Sequence, residues 1–228
     1  MSKKEDQNEE LIVDVQEVYS KTETFIEDNK NILSGIVAAL AIIIGGYFAY
    51  QNFYLAPLQD EAVEEMFMAE KYFAQDSMNL AINGDGVHAG FIEIVNNYGS
   101  TKAGNLAHYY LGVAFLRTGQ FQAAIAELED FSSDDIMISS MAIGATGDAY
   151  LELGDLKKAA SNYEKAAEND DNDFTAPYFL MKAGKTYELM GDFKEAVSIY
   201  NTIQDDFKNS AEAAEVKKLI AKAESFIQ

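Results

Sequence analysis

Few side chains in this chain are equipped for chemistry. Its only two histidines, the side-chain type that serves most often as a general acid or base, are His88 and His108. General acid–base or nucleophilic catalysis needs such a group beside a second titratable residue or an activatable hydroxyl. The two are well separated in the chain, and His108 falls at a packing position of a helical pattern, which gives it a core or interface role. No cysteine is present, which removes disulfides, thiolate metal sites and cysteine nucleophiles and leaves the redox compartment open. Asp170, Asp171, Asn172 and Asp173 concentrate carboxylate oxygen, but the run lacks the Gly and terminal Glu of a calcium loop and reads as a solvated turn. Asn83, Gly84, Asp85 and Gly86 likewise read as a tight turn rather than a phosphate cradle. The expectation is a non-enzyme that needs no cofactor and no metal.

What remains is binding, and the composition narrows the partner. With 38 Asp and Glu against 17 Lys and Arg, the formal charge is −21. Nucleic acid and anionic lipid surfaces both require clustered cations, so neither is expected as a partner. Solubility accounts for most of the acidity. Two prolines and 48% hydrophobic residues, with Ala, Leu and Glu frequent, indicate an all-α body.

The elements that would position a binding surface divide around one stretch. Ile32 to Tyr50, ILSGIVAALAIIIGGYFAY, is nineteen residues long and lies in an uncharged window from Asn31 to Gln59. As a helix it would span roughly 29 Å, close to the roughly 30 Å of a hydrocarbon core. Tyr47, Tyr50, Phe53 and Tyr54 would form an aromatic belt at its distal end. A buried helix is usually shorter. A signal peptide would have a basic stretch directly before the apolar run and small residues after it. The expectation is an uncleaved transmembrane anchor over 31–54. Before it, residues 1–30 combine a polar start with a helix whose apolar side chains Leu11, Val15, Val18 and Phe25 recur with Thr22 at helical spacing, beside Ile12, Tyr19 and Ile26. Its polar face is mostly acidic, which favours packing on a partner helix, or equally on a second copy of itself, over lying on a bilayer. Lys21 and Lys30 precede the span and only Lys71 follows closely, so the lysine asymmetry keeps the amino terminus inside.

Residues 55–98 are expected to form a leading helical hairpin. One helix covers Gln59 to Gln75, a Gly- and Asn-rich turn follows, and a second covers Val87 to Asn97. Residues 99–228 contain an internal repeat. LGVAFLRTGQFQAAIAEL from Leu111, TGDAYLELGDLKKAASNY from Thr146 and AGKTYELMGDFKEAVSIY from Ala183 superimpose without a gap, at periods of 35 and 37 residues. Gly112, Gly147 and Gly184 coincide, and after them Phe115, Tyr150 and Tyr187. Then come Gly119, Gly154 and Gly191, followed by Ala124, Ala159 and Ala196, and finally Leu128, Tyr163 and Tyr200. The first Gly would let two helices approach, the aromatic would fill the space between them, and the second Gly would end the first helix. The Ala would be the close contact on the second helix. One such hairpin cannot bury both faces, so hairpins must stack.

At these residues the chain resembles the tetratricopeptide repeat (TPR) family, whose 34-residue hairpins carry this spacing. The resemblance covers about Asn105 to Phe207. His108, Ile143 and Leu180 stand at its usual tryptophan place, and Asp171 and Lys208 at its usual terminal proline. It implies a superhelix of about three clear repeats, with Asp60 to Tyr98 a degenerate leading repeat. Ala211 to Ile227 would be a terminal capping helix, with Ser210 its N-cap. It also implies a concave groove for protein partners. The groove positions fall on Leu106, Tyr109, Val113, Leu116 and Arg117, on Met141, Gly144, Asp148, Leu151 and Glu152, and on Tyr178, Met181, Lys185, Glu188 and Leu189. Most are apolar where carboxylate-clamping repeats carry Lys, Arg and Asn. The groove therefore suits an apolar helix or extended segment, unless the chain's own terminal helices fill it.

The whole architecture, a short cytosolic segment, one anchor and an outward repeat body, resembles the YfgM-type ancillary subunits of the bacterial Sec translocon. That resemblance implies an inner-membrane protein with a periplasmic body. Its partners would be Sec translocon subunits, a periplasmic chaperone of the PpiD type and translocated clients. A tethered adaptor for outer-membrane biogenesis or cell division, and a scaffold facing the cytosol, remain as alternatives.

Overall fold

The computed structural model describes the backbone of residues 2–169 and 172–227, and within that range the side chains from residue 21 onward. Asp170 and Asp171 lie outside it, as do the side chains of Leu11, Ile12, Val15, Val18 and Tyr19, on which the amphipathic N-terminal face depends. The chain forms two compact units, residues 1–56 and 57–228.

The first unit is α1 (Ser2–Tyr50) followed by a π-helical turn, Gln51–Leu55. Its apolar side chains are uncovered: Ile42 is 75% and Phe53 85% exposed. Tyr50 stacks on Tyr54 at 5.3 Å, one turn along. One helical stretch, within Lys21–Ala74, is long and apolar enough to cross a membrane, with a window of mean hydropathy 2.3.

The second unit is all-helical among the described residues. It contains α2 (Ala56–Ala74), α3 (Met78–Asn83), α4 (Phe91–Tyr98), α5 (Lys102–Arg117), α6 (Phe121–Asp130), α7 (Ile136–Glu152), α8 (Leu156–Asn169), α9 (Thr175–Met190), α10 (Phe193–Asp206) and α11 (Ala213–Glu224). Helices α5–α6, α7–α8 and α9–α10 are the three repeat hairpins. In each, a Cβ on the first glycine would strike the second helix: Gly112 faces Leu128 Cγ at 2.6 Å, Gly147 faces the Tyr163 ring at 2.8 Å, and Gly184 faces the Tyr200 ring. The contact alanines Ala124, Ala159 and Ala196 are fully buried. Gly191 ends α9 at φ 76°, a left-handed conformation that would strain any other residue, and its N–H is donated to the closing carbonyls of α9.

The leading hairpin departs from expectation in two places. Met78–Asn83, read as turn, is the short helix α3, because Met78, Ala81 and Ile82 share one face and are buried. Helix α4 begins at Phe91, not Val87, because Asp85 diverts the intervening chain. Its Oδ1 accepts from the N–H groups of Val87 (2.8 Å) and His88 (2.7 Å), and its Oδ2 from the Tyr72 hydroxyl (2.6 Å). These donors, the Tyr72 hydroxyl and then His88 foremost, hold the Asp85 carboxyl well below the usual carboxylate range.

Two junctions share one construction. Tyr98 and Phe207 are buried, and the hydroxyl three residues on, Thr101 or Ser210, accepts from the N–H three further on, Gly104 (2.9 Å) or Ala213 (3.2 Å). Helix α11 is shorter at both ends than the expected Ala211 to Ile227, and its N-cap is Glu212, not Ser210, although the Ser210 hydroxyl still accepts from the first residue of the helix.

Candidate protein-binding groove

The groove positions lie on the first helices of the hairpins, α5, α7 and α9, and they behave differently from one repeat to the next. On α5, Leu106, Val113 and Leu116 are half-buried, and Leu106 and Leu116 pack on the core formed with α2–α4. Tyr109 leans on Phe131 at 5.4 Å, and burial pushes its phenol up. Arg117 is tied down, with its guanidinium 3.2 Å from Asp76 and 5.2 Å from the Phe73 ring centre.

On α7 and α9 several positions are closed. The Phe179 ring occupies the space where a Cβ on Gly144 would stand, so that position is a contact between successive repeats and not open groove. Met181, expected on the inner wall, is 6% exposed and belongs to the core of α8–α11. A charged side chain at this position would be buried without a partner. Leu151 packs on the same core.

On α7 and α9, three charged groove positions are engaged within the fold. Asp148 accepts from the Tyr163 hydroxyl (2.6 Å) and from Lys182 Nζ (2.5 Å). Glu188 accepts from the Tyr200 hydroxyl (3.0 Å) and from Lys222 Nζ of α11 (2.5 Å). Lys185 lies 3.9 Å from Glu215, also on α11. The terminal helix therefore engages part of the surface that the repeat pattern assigns to a partner. Burial, assisted by Asp148 and Glu188, pushes the Tyr163 and Tyr200 phenols far above their ordinary range.

What stays open is mostly apolar. Met141 and Tyr178 are 40% and 43% exposed, and Glu152 and Leu189 are also exposed. A cavity of about 260 Å³ is lined by Met141, Asp173, Phe174, Thr175, Tyr178, Ala211 and Glu212. Phe174 is 76% exposed and is the residue that repeat numbering overlooks. Its signal is an aromatic alone in the polar run Asn172 to Thr175, at the start of α9. Asn172 accounts for the polar side of that turn: its Oδ1 accepts from the N–H groups of Phe174 (2.7 Å) and Thr175 (2.8 Å).

The candidate chemical groups are structural in their contacts. His108 Nδ1 is 2.8 Å from Glu127 Oε2, joining α5 to α6, and His88 Nδ1 is 2.9 Å from Asp85. Among the described residues, no three His, Asp or Glu side chains come together as a metal site.

Three segments match tetratricopeptide repeat models: residues 98–131, 145–173 and 178–210. Similar solved structures include crystal structures of nearly identical TPR-like repeats from a candidate kinesin light chain of Podosopora anserina. One shares 15% identity at a TM-score of 0.54, and a point variant of it 13% at 0.53, each covering 74% of this chain and 87% of the other. At these identities the likeness is one of fold. No curated protein matches the sequence.

Proposed function

We propose that this tetratricopeptide-repeat protein is a scaffold of the bacterial cell envelope, anchored in the inner membrane by the span within residues 31–54. The reading places residues 1–30 in the cytoplasm and the repeat body, residues 55–228, in the periplasm. Sec translocon subunits and a periplasmic chaperone of the PpiD type are its partners, and translocated clients pass nearby. Turnover is no part of this role.

The observation that carries the reading is the pairing, in one chain, of an uncovered apolar helix with repeats that keep apolar side chains exposed. Leaving a large aliphatic side chain in water rather than burying it forgoes about 1.5–3 kcal/mol, and the helix has many of them, Ile42 and Ile43 included. A bilayer removes that cost, and a helix satisfies its own backbone there. Tethering then raises the effective concentration of the repeat surface for membrane-bound partners, so weak contacts suffice.

The test is a photo-crosslinker placed at Phe53 in cells, followed by mass spectrometry. Translocon subunits and a chaperone are the expected products, whereas crosslinks confined to outer-membrane biogenesis or division proteins would move the scaffold to that assembly. Protease added to spheroplasts should digest the repeat body. Protection would instead put the body in the cytosol.

A further inference from the structure

We infer that the cavity lined by Met141, Phe174 and Tyr178 is a docking pocket for a partner segment that combines an apolar anchor side chain with neighbouring lysine or arginine. The inference rests on the scaffold reading and adds the chemistry of the partner at one part of its surface.

The apolar half of the argument is the lining. Three large side chains from the starts of α7 and α9 face a cavity of about 260 Å³, room for a large apolar side chain. Met137, also exposed, lies one turn before Met141 on α7 and extends the same face. Two methionines beside two aromatics make a surface that adapts to the shape of an incoming group.

The charged half is the rim. Asp173 and Glu212 line the cavity, and neither carboxylate has a hydrogen-bond or ion-pair partner among the described residues. Among the described residues no Lys or Arg lines the cavity, and Lys182, whose ammonium is 5.2 Å from the Tyr178 ring centre, is held by Asp148 at 2.5 Å. The pocket therefore presents uncompensated negative charge around an apolar floor.

That charge selects among occupants. A second copy of the chain carries −21 overall, and juxtaposing like charges in an interface is strongly unfavourable. The chain's own residues 1–30 contain nine Asp and Glu against four Lys, so they are no better suited. Anionic lipid is repelled for the same reason. A cationic, apolar-anchored segment satisfies both halves of the site.

The experiment uses the full-length protein in zwitterionic nanodiscs and three fluorescent peptides of equal length. One has Leu and Phe anchors flanked by Lys, the second has the same anchors flanked by Glu, and the third keeps Lys but replaces the anchors by Ser. The first should bind about ten-fold tighter than either of the others, as expected for a buried anchor. Phe174→Ser with Met141→Ser should remove that advantage, and because both side chains are exposed the helical circular dichroism should not change. Asp173→Asn with Glu212→Gln should weaken the Lys peptide several-fold and leave the Glu peptide no weaker. Equal binding of the Lys and Ser peptides, no binding by any peptide, or binding indifferent to Phe174→Ser overturns the pocket. Equal binding of Lys and Glu peptides, both lost on Phe174→Ser, overturns the charge selection while leaving the scaffold reading standing. Failure of the scaffold reading itself appears only in the crosslinking above.

Discussion

Around α2–α6 the repeat body is joined by aromatic faces, whereas around α7–α11 tyrosine hydroxyls reach carboxylates that lysines from a following helix also hold. In the first region Phe91 stacks on Tyr110 at 5.3 Å and 5°, and Phe73 meets both edge-on at 6.2 and 5.1 Å. In the second, Tyr163 and Lys182 share Asp148, Tyr200 and Lys222 share Glu188, and Tyr187 donates to Glu164 at 2.6 Å. One position of the repeat accounts for much of the difference. Leu128 stands in the first hairpin where Tyr163 and Tyr200 stand in the next two, so at this position only the later hairpins carry a hydroxyl that reaches a carboxylate. The apolar packing stabilises through buried area, and the polar links join side chains of successive helices.

The comparison breaks most readily at Phe91. Phe91→Ala removes a fully buried ring that two other rings contact, and should cost about 3–5 kcal/mol. Denaturant unfolding followed by circular dichroism would measure it. A smaller loss than from any single hydroxyl deletion would show that the first region is not held by ring packing.

Tyr163→Phe keeps the buried ring and deletes only its hydroxyl. Asp148 retains Lys182, so the expected cost is about 1–1.5 kcal/mol in the same measurement. Leu128→Met, at the corresponding position of the first hairpin, should cost less than about 1.5 kcal/mol and change no polar contact. If the two later tyrosines proved as dispensable as Leu128 is replaceable, the polar links would be incidental.

Alkaline pH probes the same bonds without mutation. Burial, aided by the neighbouring carboxylates, raises the phenols of Tyr163, Tyr187 and Tyr200 in the folded chain. A tyrosine of the unfolded chain ionises near about pH 10. Their stabilisation is therefore complete below that pH and is lost as pH rises above it, since the unfolded state then releases protons that the folded state retains. Phenolate absorbance should show these three ionising together with loss of helix, after the exposed tyrosines. Ionisation with the helices intact would contradict the buried arrangement.

The two regions are unequally legible in the sequence. The hairpins can be read because Gly112, Gly147 and Gly184 mark a distance between helix axes, and their partners recur at fixed offsets. Helix α3 cannot, because Asn and Gly around it mask the short face of Met78, Ala81 and Ile82. Repeat numbering assigns Met181 and Gly144 to the inner wall, yet a position number carries no information about how deeply the neighbouring hairpin covers it. The Tyr163–Asp148–Lys182 link joins residues from two hairpins, and no local pattern encodes that reach. Phe174 escapes the pattern because it precedes the helix on which groove positions are counted.

The smallest effect lies at the end of the solenoid. Lys222 of α11 and Lys182 of α9 make equivalent 2.5 Å bonds to Glu188 and Asp148, but Lys222 is the more exposed, at 56% of its side chain against 26%. Solvent screening and side-chain entropy reduce an exposed pair to about 0–1 kcal/mol. Lys222→Gln should accordingly cost about 0.5 kcal/mol or less, with the difference fading in high salt. Lys182→Gln should cost more and depend less on salt, because its ammonium is the less exposed of the two while both partner carboxylates also accept from a buried tyrosine. Urea unfolding of both variants at low and high ionic strength separates the cases. Equal costs would mean that α11 is held as firmly as the internal hairpins, and that the groove beside Lys185 and Glu188 is closed to any partner that must displace it.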